Sequence, residues 1–231
     1  MNPSPTFETL ADDAWLVHLG DAADPTCNPR VHALAARIRS ASPEWLRDLT
    51  PGYASLAVYF DGMRADPDTV RDWLEAQCRQ DVESTTILRV SRTIEIPVRY
   101  GGAFGEDLDA AAMELGLAPE ALIARHSAPL YTVAMIGFAP GFPYLSGLDP
   151  ALALPRLKTP RTRVPAGSVG IGGAQTGLYP RESPGGWRLI GRTPLRLFDP
   201  LRMEPSLLAP GDRVRFVAID DAAFAAASAA V

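Results

Sequence analysis

Between Tyr131 and Ala218 the chain is broken too often to hold an ordinary helix. Eleven of the 19 glycines lie between Gly137 and Gly191, interleaved with prolines, and both residues end regular helix. What survives between the breaks is short and β-prone: "YTVAMIGF", "SVGIGG", "WRLIGRT" and "RVRFVAI". Short strands with frequent Gly and Pro turns predict a closed or strongly bent antiparallel barrel. "APGDRVRFVAID" reads as a turn into a final strand, and the alanine-rich tail from Ala222 as a terminal helix or frayed end. Just upstream, helical stretches from Asp107 to Leu115 and from Pro119 to Arg125 flank Gly116. Helix–glycine–helix is also a DNA-reading pattern, but the second helix offers few basic or amide side chains. A cover for one end of the barrel is the better expectation.

The first 91 residues have a different rhythm. "AWLVHL" (14–19) is a strand, and Val31, Leu34, Ala35 and Ile38 recur at helical spacing. Strands at about 44–49 and 54–60 join through Thr50-Pro51-Gly52-Tyr53, a strong turn signal. Asp66 before Pro67 starts a second helix, whose face is Val70, Trp73, Leu74 and Cys78. With "RTIEIPVR" (92–99) as closing strand, the order is β-α-β-β-α-β, a ferredoxin-like arrangement. The expected fold is therefore an α+β ferredoxin-like domain over 1–91, followed by an all-β barrel domain over 92–231.

Composition excludes several functions. A net charge of −5 opposes general nucleic-acid binding. No apolar run approaches the roughly 20 residues of a spanning helix, and the amino terminus shows no secretory pattern; a cytoplasmic protein without membrane contact is expected. Of the 22 cationic residues only Lys158 is a lysine, and it follows leucine, so there is no Walker A phosphate loop. Cys27 and Cys78 form no CxxC pair, and His18, His32 and His126 have no ligand spacing, so no metal site is expected.

The words "GFAPGFPYLSGL" and "TPRTRVPAGSVGIGGAQTGLYPRESPGGWRLIGRTPL" occur in order at fitting spacing, preceded by "IPVRYGGAFGEDLD" and "HSAPLYTVAMIGF" and followed by "LFDP" and "PGDRVRFV". They resemble the KipI family, also called allophanate hydrolase subunit 1, densely over about residues 94–218 and loosely before that through "PGYASLAVYFD". The family includes the B-type subunit of the ATP-dependent 5-oxoprolinase. The resemblance implies a cyclophilin-like barrel after the ferredoxin-like domain. It also implies a companion of the KipA, or allophanate hydrolase subunit 2, type and a third LamB/YcsF-type subunit. The implied reaction opens 5-oxo-L-proline, a lactam, to L-glutamate with ATP hydrolysis, the ATP bound by or shared with a partner. Two other family roles stay open: inhibition of a sensor histidine kinase, and the carboxyltransferase component of a urea carboxylase-type system. The amidase pattern of lysine and serines is absent, so allophanate hydrolysis is not expected.

Within these motifs, Phe138, Phe142 and Tyr144 offer apolar area to a substrate, a partner or the core. Arg161 and Arg163, in "TPRTRVP", have the fork that clamps carboxylate or phosphate, or they pair with acidic neighbours. Gln175, Thr176 and Tyr179 follow "GIGG", where missing side chains admit a ligand to the backbone or merely tighten a turn. Ser183 and Trp187 in "ESPGGW" complete the candidate substrate-binding set, the tryptophan as the floor of a pocket or as part of the core. His126 is the candidate general base, with the alternative of a hydrogen-bonded structural histidine. Glu106, Asp107, Asp149, Glu182 and Asp199 form no evident acid pair. A site finished by another chain is expected.

Overall fold

The computed structural model describes residues 4–22, 24, 26–79 and 92–229. They fall into two compact units, one within 1–90 and the other within 91–231. The expected boundary after residue 91 borders a stretch, 80–91, outside the described residues.

In the first unit, β1 (Thr6–Ala11) and β2 (Ala14–His18) form a hairpin, followed by α1 (Cys27–Ala41), β3 (Leu46–Pro51), β4 (Ser55–Phe60) and α2 (Pro67–Arg79). The strands make an antiparallel sheet in the order β1-β2-β4-β3. Its core joins Val17, Leu56, Val58 and Phe60 of the sheet to Val31, Leu34 and Ile38 of α1 and Val70 and Leu74 of α2. Asp66 caps α2 as its sequence suggests: its carboxylate accepts the Thr69 N–H at 2.9 Å and the Thr69 hydroxyl at 2.7 Å.

One strand moves. The segment at 92–99 does form a strand, β5 (Thr93–Tyr100), but it belongs to the barrel, and the sheet edge beside β2 is held by β1, which sequence reading passed over. Burial explains the difference. Ile96, Val98 and Tyr100 alternate into the barrel core, whereas β1 is mostly exposed and carries little hydrophobic signal.

In the second unit, α3 (Leu108–Glu114) and α4 (Pro119–Ser127) precede the barrel's remaining strands. These are β6 (Tyr131–Ile136), β7 (Pro143–Ser146), β9 (Ser168–Gly172), β10 (Gln175–Leu178), β12 (Arg188–Arg192) and β13 (Arg213–Ala218). Among the described residues the barrel closes in the order β10-β7-β6-β13-β5-β12-β9, with β9 paired back to β10. All its pairings are antiparallel except β5 with β13. A separate ribbon joins β8 (Arg161–Val164) to β11 (Ser183–Gly185). The two helices pack on barrel strands, α3 on β12 and α4 on β13, so they cover the barrel as expected. The alanine-rich tail forms α5 (Asp221–Ala229). No described helix is long and apolar enough to cross a membrane, and no described group of His, Cys, Asp and Glu could hold a metal.

Candidate functional site

The connection between β6 and β7 is a stack of tight turns. Ala139 N–H donates to the Gly137 carbonyl at 2.7 Å, Phe142 N–H to the Ala139 carbonyl at 2.9 Å and Gly137 N–H to the Phe142 carbonyl at 3.1 Å. The first closes a three-residue turn with Phe138 at its centre at φ +66°, a rare and strained form for a residue with a side chain. Gly141, at φ +80°, is required: a Cβ there would sit 2.8 Å from that of Phe198. The strain sets Phe138 at 60% exposure.

Five rings meet around this connection. Phe142 is central, its centroid 4.9 Å from Tyr144, 5.2 Å from Phe138 and from Tyr179, and 5.6 Å from Trp187, with tilted or edge-on geometry throughout. Aromatic pairs favour this geometry over face-to-face stacking. Phe142, Tyr179 and Trp187 are buried with Ala139, Val164 and Leu189 in a small core of their own. The glycines explain how the rings fit. A Cβ on Gly172 would lie 2.6–2.7 Å from the Trp187 indole, one on Gly177 2.7 Å from the Pro143 carbonyl, and one on Gly185 2.4 Å from the Tyr179 hydroxyl. In "GIGG", Gly170 and Gly172 thus make room for Trp187, while Gly173 faces open space.

The rings line a half-open pocket of about 240 Å³, completed by Arg156, Pro160, Pro184, Gly185 and Gly186. Its size suits a metabolite smaller than a drug-sized ligand. A larger hollow of about 530 Å³ in the first unit, by Phe7, Arg71 and Cys78, gathers no predicted site residue.

The structure divides the remaining candidates. Arg161 is held by its own chain: Nη2 to Asp107 at 2.7 Å and Nε to Glu106 at 2.8 Å. The other Asp107 oxygen accepts the Leu189 N–H at 2.7 Å, so this trio is a strap. Arg163 forms a two-pronged pair with Glu182 at 3.0 and 2.8 Å on the surface. Both thus pair with acidic neighbours, the second of the two expectations. Gln175 is half-buried at the start of β10, and the Ser183 hydroxyl donates to the Arg181 carbonyl at 3.4 Å; neither lines the pocket.

His126 lies elsewhere, fully buried in the barrel. One ring nitrogen meets the Tyr100 hydroxyl at 2.8 Å and the other the Thr176 hydroxyl at 2.9 Å. Thr176 donates to the Gly170 carbonyl at 3.0 Å, so it accepts the Nε2–H, and Tyr100 donates to Nδ1. The ring also stacks on Phe216 at 4.6 Å, and burial pushes its pKa down to about 3. A sealed imidazole with both nitrogens engaged is out of reach of a solvent-borne substrate. This placement fits the alternative given for His126, a hydrogen-bonded structural histidine, and Thr176 is engaged with it away from the pocket.

The site residue that sequence reading missed is Arg156. Its guanidinium lies 5.8 Å from the Trp187 centroid, at the pocket. Nothing in "LPRLKTPRTRVP" ranks it above Arg161 or Arg163; only the positions of the acids do. Burial raises the pKa of Tyr144 and of Tyr179, with Arg156 opposing more weakly. Both phenols stay protonated near neutrality, as hydrogen-bonding groups and not bases. The described lining contains no carboxylate, histidine, cysteine or serine.

Fold and pocket define a class: a two-unit protein whose seven-strand barrel carries a small aromatic pocket with no acid–base pair in its described lining. The family follows from the sequence as a whole. Residues 5–208 match the family described as carboxyltransferase domain, subdomain C and D, and the chain belongs to it. It is 41% identical to the B subunit of 5-oxoprolinase from Bacillus subtilis (strain 168) over 93% of each chain. It is also 60% identical to the Haemophilus influenzae protein of the same name, over 54% of this chain and 59% of that one. Among solved structures, TTHA0988 is similar at a TM-score of 0.77 and 41% identity, with 90% of this chain covered. This chain spans about 40% of that one.

Proposed function

We propose that the chain is the B-type subunit of an ATP-dependent 5-oxoprolinase, which opens 5-oxo-L-proline to L-glutamate with ATP hydrolysis. Its proposed companions are a KipA-type and a LamB/YcsF-type subunit, in the cytoplasm. The proposed fold assignment is ferredoxin-like for the first unit and cyclophilin-like for the barrel. The observation that carries the function is the end-to-end likeness to the Bacillus subtilis protein, at 41% identity with 93% of both chains covered.

The pocket supports a shared site. Opening a lactam needs a group to activate the amide and another to deliver water, and the described lining offers rings, glycines, prolines and one guanidinium. The chain binds; a companion supplies the proton-transfer groups. The residues present do not fit ATP either. Arg161 and Arg163 are taken up by Asp107, Glu106 and Glu182, and the sequence has no phosphate loop. The nucleotide is assigned to a partner.

The test is reconstitution. The chain, purified with KipA-type and LamB/YcsF-type subunits, is assayed for 5-oxoproline-dependent ATP hydrolysis. Activity is expected only when this chain and its companions are combined. Equal activity without this chain overturns the assignment, and full activity from this chain alone overturns the shared site.

A further inference from the structure

We propose that Arg156 is the carboxylate anchor of the aromatic pocket, which thereby selects small cyclic monocarboxylates over their neutral analogues. That 5-oxoproline is the particular carboxylate rests on the 5-oxoprolinase reading; the charge selectivity rests on the pocket alone.

Three observations converge. First, the described lining carries a single formal charge, and it is positive. Most arginines of the described chain are bound to an acid, as Arg161, Arg163 and Arg188 are. Arg156 is exposed and faces an indole instead. A guanidinium over a ring face keeps its N–H fork for a planar, two-oxygen acceptor. Second, much of the wall is apolar: Phe138, Phe142, Pro160, Pro184 and Trp187. An inorganic anion would leave that surface unused, whereas a carboxylate on a small ring uses both parts, with the ring against the aromatics and the charge on Arg156. Third, about 240 Å³ is small, a volume that suits a metabolite-sized carboxylate. Tyr144 and Tyr179 complete the aromatic part of the lining. Arg156 touches the bound carboxylate in this arrangement and transfers no proton.

The experiment has two arms. In the first, the full chain is titrated with 5-oxoproline, cyclopentanecarboxylate and neutral 2-pyrrolidinone, and binding is read by calorimetry or ligand-observed NMR. Both carboxylates should bind more tightly than 2-pyrrolidinone. Arg156→Ala should weaken the carboxylates by about 10- to 100-fold, with 2-pyrrolidinone unmoved, while Arg156→Lys should fall between. Because the side chain is exposed, an unchanged melting temperature shows that the variants are folded. In the second arm the reconstituted complex is assayed: Arg156→Ala should raise KM for 5-oxoproline by a similar factor and leave kcat nearly constant.

Carboxylate selectivity lost in Arg156→Ala, in a complex that does not hydrolyse 5-oxoproline, upholds the anchor and overturns the 5-oxoprolinase reading. Hydrolysis with KM unchanged in Arg156→Ala upholds that reading and overturns the anchor. Equal binding of charged and neutral ligands, or no carboxylate binding by chain or complex, also overturns the anchor.

Discussion

Strand β10 serves two clusters of rings with opposite characters. Thr176 points inward to His126, Tyr100 and the barrel core, while its neighbour Gly177 gives way to Phe142 and Trp187 in the pocket, as alternation along a strand requires. In the inner cluster every polar atom is matched: His126 by Tyr100 and Thr176, Thr176 by Gly170, and the Tyr131 hydroxyl by the His126 carbonyl at 2.7 Å. In the outer cluster a strained turn holds Phe138 toward solvent, and among the described residues Arg156 has a ring for a neighbour in place of an acid. Closure and full hydrogen bonding mark a structural core, whereas strain, opening and an unneutralised charge mark a site for a ligand.

This contrast can be broken at four points. The largest effect belongs to the inner cluster. His126→Ala removes a buried ring and strands the Tyr100 and Thr176 hydroxyls, and should cost about 3–5 kcal/mol in denaturant unfolding with ligand affinity unchanged in the folded fraction. Lost affinity at full stability would reverse the assignment of the clusters. Next is Gly172→Ala, whose methyl would enter the Trp187 indole. It should cost about 1–3 kcal/mol and, unlike the first variant, abolish carboxylate binding; a crystal structure with Trp187 unmoved would refute the packing explanation.

The third is a pH effect. Unfolded, His126 takes up a proton near its ordinary 6.5, but folded only near 3. Between those values the unfolded chain binds more protons, so this contribution is complete above about pH 6.5 and is lost as pH falls toward 3. From pH 7 to pH 5 the loss should be about 2 kcal/mol, read from denaturation midpoints, with no His126 NMR titration above pH 4. A His126 titration near 6.5 would show that the cluster is open. The smallest effect is Phe138→Gly. Relief of the positive φ should stabilise the chain by up to about 1 kcal/mol while carboxylate binding weakens; destabilisation would show that the turn is unstrained.

How far the sequence reached is clearest in particular residues. The density of Gly and Pro disclosed the barrel, because those residues act locally. The aromatic words disclosed the rings, since so much apolar area in a turn-rich segment must pack on something. The partners of charged groups were not legible. Asp107 lies 54 residues from Arg161, so nothing local distinguishes a paired arginine from one facing a pocket. Strand β5 was visible as a strand but not as a barrel member, because its partner β13 is more than 100 residues away. His126 appeared available because it was alone in its half of the sequence, whereas its environment is built from Tyr100, Thr176 and Phe216.

The central claim is that the open cluster receives a ligand and the sealed one holds the barrel. It can be tested by adding 5-oxoproline to the chain labelled in its aromatic rings and recording NMR shifts. The predicted result is movement at Tyr144, Tyr179 and Trp187, with Tyr100, His126 and Tyr131 still. Shifts confined to the His126 cluster, with the pocket rings silent, would contradict it.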